Sequence, residues 1–447
     1  MRKKDYGLRV NKLFHIKTFG CQMNEHDSLK ISALIKPLGF EETADPLQAD
    51  LVLFNTCTVR QKAHDKAFSE IGKVIAAEGK RPLIGVCGCM AQEEGVKLLH
   101  RFPEINLVFG PDQIYKLPEL LEIVEKEKRP AIATELINSA EDYHFLDTLE
   151  ATRLNGPTAY VTIMKGCNSH CSYCIVPKVR GTEVCRPARD IIRETEFLVE
   201  KGCKEVTLLG QTVNSYCNDG VSFAELIALI SKNTGVARIR FTSPHPKDVK
   251  DDLIEEYGQN PKLCPHIHMP LQSGSDAVLK RMRRAYNTTT YSAKIEKLRA
   301  ARPDIAISTD MIVGFPGESD AEFQQSLDFI KGIGLDAMYA FKYSPRPDTE
   351  AFGMADDVAR EKKEERLQRL LDLQNNLSKS KNETRIGLVE EVLVEGADKK
   401  KRGRFCGRSS HNRIVNFAGQ EGLIGAIVKV KITKAYSNSL EGELWEN

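Results

Sequence analysis

Three cysteines in one short stretch, GCNSHCSYCIVP, carry the most specific chemistry in the chain. Cys167, Cys171 and Cys174 are separated by only three and two residues, so one turn of the chain can present all three thiolates. A structural zinc site takes four ligands, and His170 is the only other candidate nearby. A [4Fe-4S] cluster has four irons, so three cysteines would leave one iron open for another ligand. The spacing favours an iron–sulfur cluster with an open iron over a closed zinc site.

A second set of cysteines lies in three similar segments between residues 13 and 110. FHIKTFGCQMNEHDS, DLVLFNTCTVRQKA and RPLIGVCGCMAQEE each have the pattern of a short apolar strand, a loop with a cysteine, and a helix. Buried parallel strands are continuous apolar runs, and right-handed crossovers bring their carboxyl-end loops to one edge of the sheet. We expect Cys21, Cys57 and Cys89 to converge at that edge. Cys87, two residues nearer the strand, is predicted to be a core residue.

Six further strand-like runs follow a charged, proline-broken connector that ends near residue 150. They are AYVTIMKGC, EVTLLGQ, RIRFTSPHP, HIHMPLQSG, IAISTDMIVGFPGE and MYAFKYSPRP, separated by polar segments of helical length. Six such βα units predict a partial parallel (β/α)6 barrel, whose site lies at the carboxyl ends of its strands. The motif that contains Cys167 follows the first of these strands, where this rule places the chemistry.

The last part of the chain is rich in short strands and follows a polar helix over residues 361–380. GLVEEVLVEG, RIVNFAG and AIVKVKITKAYSNSLEGEL predict a small five-stranded β barrel of the oligonucleotide-binding type. Between its strands, residues 399–413 hold seven Lys or Arg and no acid. Basic charge with an aromatic side chain indicates RNA binding, although a solvated loop has the same composition. The candidate RNA contacts are Lys401, Arg402, Arg404, Phe405, Arg408 and Arg413.

Composition limits the classes of protein that fit. The formal net charge is +2 in 447 residues, so affinity for nucleic acid must come from a local patch. No run approaches the roughly 18 apolar residues of a membrane span, and the first residues lack a secretory signal. We therefore expect a cytoplasmic protein without a membrane partner, in which several of the twelve cysteines hold metal. The predicted fold is α/β and multidomain: an open parallel sheet in residues 1–148, the partial barrel in 149–380, and the small β barrel in 381–447.

The cysteine motif resembles a known signature. The pattern C-x3-C-x-aromatic-C, with Tyr173 as the aromatic, is similar to that of the radical S-adenosylmethionine (SAM) superfamily, in which SAM occupies the open iron. From about residue 13 to its end the chain resembles the methylthiotransferase branch, through TFGCQMNEHDS, NTCTVRQKAHDKA and GCMAQ, and its tail resembles the TRAM domain. The resemblance implies that Cys21, Cys57 and Cys89 bind a second [4Fe-4S] cluster with an open iron.

Weaker motifs supply further candidates for the site. LLGQ, FTSPHP, PLQSGSD and STDMIVGFPGE end the second to fifth strands, where polar residues either contact ligand or cap helices. The candidate SAM or substrate contacts are Tyr173, Gln211, Ser243, Gln272 and Asp310. RGTEVCRP is similar to the branch's Arg-Gly-x-Glu-x-Ser-Arg-Pro, which implies that Glu183 and Arg186 face the substrate pocket. Cys185 stands in place of the serine and is given no role. Cys203, Cys217, Cys264 and Cys406 match no motif and are predicted to be structural.

The branch implies a reaction that needs this chemistry. Methylthiotransferases replace an unactivated C–H with C–SCH3, and such a hydrogen is too weakly acidic for a side-chain base, so a radical is required. GCQMNEHDS with NTCTVR resembles the branch that acts on N6-isopentenyladenosine. This implies methylthiolation at C2 of adenosine 37 in the tRNA anticodon stem-loop, with two [4Fe-4S] clusters and SAM as cofactors. A flavodoxin-type electron donor, a sulfur source and a monomeric state are expected.

Three alternatives remain open. A methylthiotransferase could instead modify a ribosomal-protein aspartate or threonylcarbamoyl-adenosine in tRNA. A zinc-stabilised RNA-binding module would have no catalytic activity. A radical SAM enzyme with one cluster would leave the N-terminal cysteines inert.

Overall fold

The structure is a computed structural model that describes residues 12–59, 61–146, 156–398 and 403–445. The chain divides into two compact units. The first holds the N-terminal part together with Lys165–Ser169 and Cys174–Val184, and the second holds Leu154–Met164, His170–Tyr173 and the chain from Cys185 onward. Among the described residues, no helix is both long enough and apolar enough to cross a membrane.

The first unit is built on a six-stranded, fully parallel sheet with the order β2-β1-β3-β4-β5-β6. Its strands are β1 (Lys12–Thr18), β2 (Phe40–Glu42), β3 (Leu51–Thr56), β4 (Leu83–Gly88), β5 (Ile105–Phe109) and β6 (Ala131–Ala133). Its helices are α1 (Gln22–Ile35), α2 (Gln61–Ala76), α3 (Cys89–Glu94), α4 (Lys97–Arg101) and α5 (Leu117–Glu127).

Two apolar layers cover the faces of this sheet, which explains why its central strands are continuous apolar runs. Every residue of β3 is buried, and the strand contributes Leu51 and Leu53 to one layer and Val52 and Phe54 to the other. Because β1, β3 and β4 are adjacent and parallel, the loops after them lie at one edge, as predicted. Cys87 is fully buried on β4 in the first layer, which confirms its prediction as a core residue.

The second unit begins with the partial barrel, whose strands are connected by helices and short strands. Six parallel strands form two half-sheets with the orders β13-β10-β7 and β14-β15-β16. They are β7 (Thr158–Thr162), β10 (Glu205–Leu209), β13 (Arg238–Phe241), β14 (His266–His268), β15 (Ala306–Val313) and β16 (Ala337–Lys342). Between them run β8 (Met164–Lys165), α6 (Val176–Arg180), β9 (Val184–Cys185), α7 (Ala188–Glu200), β11 (Cys217–Asn218), β12 (Val221–Ser222), α8 (Phe223–Asn233), α9 (Asp251–Gln259), α10 (Asp276–Arg281), α11 (Thr288–Ala301) and α12 (Asp320–Ile333). The six predicted strands are therefore confirmed; β8, β9 and α6 span the division between the units or belong to the first unit.

Alternation along the strands separates an apolar outer face from a polar inner face. Ile267, Ile307 and Met311 pack into the large core under the helices. Residues of the opposite parity on β14 and β15, such as His268 and Asp310, turn to the other face. The lumen of the partial barrel is thus lined by hydrogen-bonding groups.

A closed five-stranded barrel with the order β17-β18-β19-β21-β20 ends the chain, as predicted. Its strands are β17 (Val389–Ala397), β18 (Arg404–Ser409), β19 (Ile414–Ala418), β20 (Ile427–Ala435) and β21 (Leu440–Leu444). The preceding helix α13 spans Arg360–Glu383, so it continues past the predicted boundary at residue 380.

The turn between β18 and β19 docks on the amino-terminal end of the partial barrel. Arg240 donates to the carbonyls of Ser409 at 2.7 Å and Ser410 at 3.0 Å. Nε2 of His411 contacts Asp304, just before β15, at 3.0 Å. Arg413 pairs with Asp336, just before β16, at 2.6 Å. This turn, which we call the docking turn (residues 409–413), therefore supplies partners for charged groups at the bottom of the lumen.

Candidate active site

Three strand-end loops of the first unit carry the N-terminal cysteine trio, Cys21, Cys57 and Cys89. Cys21 is the exposed N-cap of α1, Cys57 is buried directly after β3, and Cys89 is the buried first residue of α3. A Cβ placed on Gly20 would lie 2.4 Å from Cβ and 3.0 Å from Sγ of Cys57, so only glycine allows the first loop to approach the second. The structure therefore brings these loops together, as the sequence predicted.

Asn24 ties the loops to one another. Its Nδ2 donates to the carbonyls of Phe19 and Thr56, both at 2.9 Å, and its own carbonyl accepts from Nδ2 of Asn55 at 2.8 Å. Phe19 comes two residues before Cys21, and Thr56 comes immediately before Cys57. One buried amide therefore fixes the backbone that leads into two of the three cysteines.

Arg180 places a guanidinium among these cysteines, which the sequence reasoning missed. Its Nε donates to Sγ of Cys89 at 3.3 Å, and its Nη2 donates to Asn24 at 3.0 Å and Asp27 at 2.9 Å. Arg180 is the first residue of RGTEVCRP, so the motif contained the signal, but its spacing did not indicate which residues it would contact.

The electrostatics of the trio suit thiolates that are bound rather than free. Burial raises the pKa of the Cys89 thiol to about 12, and Arg180 opposes that rise. A thiolate at this depth is costly unless a cation offsets its charge. Cysteine thiolates are soft sulfur donors of the kind that hold an iron–sulfur cluster, and Arg180 contacts the sulfur of Cys89 directly.

Lys165–Ser169 and Cys174–Val184, which flank His170–Tyr173, belong to the first unit and are held by polar contacts. Cys167 donates its backbone N–H to Gly181 O at 3.1 Å, and Glu183 accepts from the backbone of Asn168 at 3.1 Å. Lys165 donates to Asp112 at 2.5 Å in a buried pair. Glu183 therefore contacts the cysteine loop itself, and its predicted substrate contact stays a prediction.

Cys171 and Tyr173 belong to the second unit, where Arg284 contacts both. Nη1 of Arg284 donates to Sγ of Cys171 at 3.1 Å and to the Tyr173 hydroxyl at 3.4 Å. The ring of Tyr173 packs edge-on against Phe315, with centroids 6.5 Å apart. The aromatic of the motif therefore has a structural contact beside the cysteine, and Arg284 is a second residue that the sequence did not indicate.

Two of the predicted strand-end residues have strained backbones. Ser243 has φ 59° and Gln272 has φ 75°, a region that side-chain-bearing residues rarely adopt. Gln272 donates its backbone N–H to Asp310 O at 2.8 Å and accepts from Ile312 N at 2.9 Å. Strain of this kind concentrates where function fixes the backbone. Gln272 and Asp310 are thus held side by side, while Gln211 lies half-buried after β10.

Two histidines in the lumen share Ser308 Oγ, and one of them lies against Asp310. Ser308 Oγ contacts Nε2 of His266 at 3.1 Å and Nδ1 of His268 at 3.0 Å, and Nε2 of His268 contacts Asp310 at 3.3 Å. Tyr339, in register with Asp310 on the next strand, is 54% exposed, and its ring lies 5.9 Å from that of His268. This strand end therefore offers an oriented carboxylate next to an exposed aromatic ring, a combination that can bind a purine.

Three of the predicted contacts have partners within the protein. Arg186 is 6% exposed, pairs with Glu194 and donates to Thr162 O, so its guanidinium holds the barrel rather than facing a pocket. Phe405 lies in the core of the C-terminal barrel at 6% exposure, where its ring cannot stack on a base. The pair that Arg413 makes with Asp336 likewise commits its guanidinium to the docking turn.

The other predicted RNA contacts differ in what surrounds them. Arg404 pairs with Glu441 at 3.1 Å, and Arg408 pairs with Glu395 at 3.3 Å; both remain partly exposed. Lys401 and Arg402 lie outside the described residues. In the part of the chain that the structure describes, no three His, Cys, Asp or Glu side chains form a group that could hold one metal ion.

Comparison with known proteins identifies three regions of the chain. Residues 13–110 match the uncharacterized protein family UPF0004, residues 161–330 match the radical SAM superfamily, and residues 383–445 match the TRAM domain. Among solved structures, the radical SAM methyltransferase TsrM from Kitasatospora setae has a TM-score of 0.54 at 14% identity, covering 87% of this chain and 79% of that one. The cobalamin-dependent radical enzyme OxsB has a TM-score of 0.53 at 13% identity, and the chain spans 56% of its length. At these identities the likeness concerns the fold alone.

Curated relatives are far more similar. The tRNA-2-methylthio-N(6)-dimethylallyladenosine synthase of Geobacter sulfurreducens is 47% identical over 441 residues, covering 97% of this chain and 98% of that protein. The synthase of the same name from Acidovorax sp. is 44% identical over 442 residues, with the same two coverages. The chain therefore belongs to the family of radical SAM proteins named tRNA-2-methylthio-N(6)-dimethylallyladenosine synthases.

Proposed function

We propose that this protein is a radical SAM tRNA methylthiotransferase that converts N6-isopentenyladenosine 37 of tRNA to its 2-methylthio derivative. The observation that carries the proposal is the relationship to synthases of that name over nearly the whole of both chains. Cys167, Cys171 and Cys174 would hold the [4Fe-4S] cluster that binds SAM, and Cys21, Cys57 and Cys89 would hold a second one.

The residues around each cysteine set have distinct roles in this proposal. Arg180 and Arg284 each donate an N–H to one cysteine sulfur and so orient a ligand and offset its charge. Bound SAM and clusters supply the one-electron chemistry that an unactivated C–H requires. Asp310, oriented by His268, can accept a hydrogen bond from an exocyclic amine or a ribose hydroxyl, and Tyr339 can stack on a base.

The tRNA contact is proposed for the C-terminal barrel. Trp445 is 43% exposed, and Nζ of Lys431 lies 4.9 Å from its ring centre. A cation beside an exposed aromatic ring on a small barrel suits single-stranded nucleic acid. We add these two residues to Arg404 and Arg408 as candidate contacts, in place of Phe405 and Arg413. An anticodon-loop base is already unpaired, so it enters a pocket at less cost than one in a duplex.

The test is the product formed from defined tRNAs. The anaerobically reconstituted protein is given SAM, a reductant, a sulfide source and tRNA bearing N6-isopentenyladenosine, with unmodified and threonylcarbamoyl tRNA in parallel. Mass spectrometry of the digested nucleosides should show a 2-methylthio product from the isopentenyl substrate alone. A product from the threonylcarbamoyl tRNA would move the protein to that branch, and no product from any tRNA despite SAM cleavage would contradict a tRNA substrate.

A further inference from the structure

Arg180 is an unusual residue to find in the interior of the first unit. Its side chain is 8% exposed, and its guanidinium reaches Cys89, Asn24 and Asp27 within 3.3 Å. A buried ion pair generally adds little stability over apolar packing, because both charges lose their hydration. Stability alone therefore does not account for a cation at this position.

The position of the cation is set by the chain that follows Cys174. Arg180 is the last residue of α6, and Ile175 and Val179 from the same segment pack against Cys89 in one small apolar cluster. The helix is short and buried on the side that faces Cys89. Its packing leaves the guanidinium little freedom to move away from the sulfur.

We propose that Arg180 is a positioning residue that raises the reduction potential of a [4Fe-4S] cluster bound by Cys21, Cys57 and Cys89. This inference rests on the proposed function, which places a cluster there. Three thiolates and a [4Fe-4S]2+ core carry a net charge of about −1, and adding one electron makes it about −2. A cation in contact with one of the sulfurs stabilises the more negative state. Asp27, on the outer nitrogen of the guanidinium, partly cancels this effect.

The experiment isolates the second cluster in the full chain. Replacing Cys167, Cys171 and Cys174 by Ala removes the ligands of the SAM-binding cluster and defines the parent protein. The parent, R180M, R180K and D27N are reconstituted anaerobically, and the midpoint potential of each is measured by redox titration with electron paramagnetic resonance. Iron and sulfide analysis, about four of each per chain for a full cluster, establishes that the same species is compared.

Removing the cation should lower the potential, and removing its counter-charge should raise it. At the midpoint of the parent, R180M should reduce the ratio of reduced to oxidised cluster by about tenfold or more, equivalent to about 59 mV for one electron. R180K keeps the charge but not the planar donor, so its potential should lie between those of R180M and the parent. D27N should shift in the opposite direction because it removes a negative charge, and the difference between R180M and R180K reports the charge of Arg180, which a merely structural role would not produce.

Each outcome separates this inference from the proposed function. Full clusters with an unchanged potential in R180M and D27N would overturn the role of Arg180 and leave the second cluster in place. If R180M does not retain a cluster, R180K decides the matter: a potential below that of the parent supports the role of Arg180, and a potential equal to that of the parent overturns it. A parent protein that binds no four-iron cluster would overturn the proposed function, and the inference with it.

Discussion

Arg284 contacts Cys171 from a segment more than one hundred residues further along the chain. Its other nitrogens donate to the Tyr286 hydroxyl at 2.7 Å and to Pro270 O at 3.1 Å. These bonds use the fork of donors that an arginine has and a lysine lacks. The guanidinium is therefore held in one orientation against the cysteine sulfur.

At the residue scale we expect R284M to lower the rate of SAM cleavage by about 10–100-fold, the usual cost of losing an outer-shell partner of a metal ligand. R284K should retain part of the rate because it keeps the charge. The measurement is 5'-deoxyadenosine formed per cluster. R283M is the matched control, because the neighbouring Arg283 is exposed and pairs with Glu350 on the surface. Equal rates in R284M and R283M would contradict the role of Arg284.

His245 gives a prediction about pH. Burial lowers the pKa of its imidazole to about 2, and the neutral ring accepts from Lys247 N at 3.2 Å. The unfolded chain takes up this proton near pH 6.5 and the folded chain does not, so stability falls as pH drops below about 6.5. The slope from this group approaches 1.4 kcal/mol per pH unit, as roughly one proton is bound on unfolding.

The H245N variant should weaken this dependence, because an asparagine oxygen can accept the same hydrogen bond without titrating. Urea unfolding at about pH 7 and about pH 5 measures the free energy of unfolding in both proteins. We expect the wild type to lose more of that free energy between the two conditions than H245N loses. Equal losses would show that His245 is protonated in the folded protein.

Some residues of the candidate site can be proposed from the sequence, and others cannot. The six cysteines are proposed from the sequence, three because of their close spacing and three because they lie in equivalent loops, and Cys89 is preferred to Cys87 because the match to GCMAQ falls on it. Arg180 and Arg284 could not be proposed in this way, since each reaches its cysteine across about a hundred residues of sequence. Charge adjusts a cluster from any direction, so local spacing leaves no constraint that marks these residues.

At the scale of elements, the docking turn depends on Arg240. This buried side chain pairs with Glu205 at 2.8 Å and donates to two carbonyls of the turn. R240A would leave Glu205 buried without that partner, a change that costs about 3–5 kcal/mol in other proteins. We expect a loss of that order in the free energy of unfolding, measured by chemical denaturation.

Two further variants test whether the loss of stability in R240A comes from the Arg240–Glu205 ion pair. The double variant E205Q/R240M should recover part of the loss, because it removes both buried charges together. K434A, on an exposed position of β20, should stay within about 0.5 kcal/mol of the wild type. A loss in R240A no larger than in K434A would mean that the turn docks without this contact.

Most strands and helices could be predicted from the sequence, but the contacts that their side chains make could not. An apolar run of strand length marked β3 correctly because a strand buried on both faces has little choice of composition. The composition of residues 399–413 indicates RNA binding or a solvated loop, whereas Arg413 pairs with Asp336 and Phe405 fills a core. Composition alone does not separate a basic residue that meets a phosphate from one that meets a carboxylate on the same chain.

At the scale of the whole molecule, the two cysteine sets have separable tasks in the proposed reaction. SAM cleavage requires the set in the motif at residues 167–174, and transfer of the methylthio group also requires the N-terminal set. If the chain were a one-cluster enzyme, loss of an N-terminal cysteine would change neither step. The ratio of the two products therefore distinguishes these accounts in the intact protein.

We expect Cys57→Ala to reduce methylthiolated nucleoside by at least about 100-fold, since loss of a ligand exceeds the cost of losing an outer-shell partner. Formation of 5'-deoxyadenosine should largely persist, because Cys57 lies in a different loop of the chain from the motif that binds SAM. C217A is the matched control, because Cys217 is exposed and matches no motif, and it should retain both products. Both products are measured from one reaction with isopentenyl tRNA by mass spectrometry. Undiminished methylthiolation in Cys57→Ala would leave a single functional cluster, whereas loss of both products would mean that the N-terminal cysteines also support SAM cleavage.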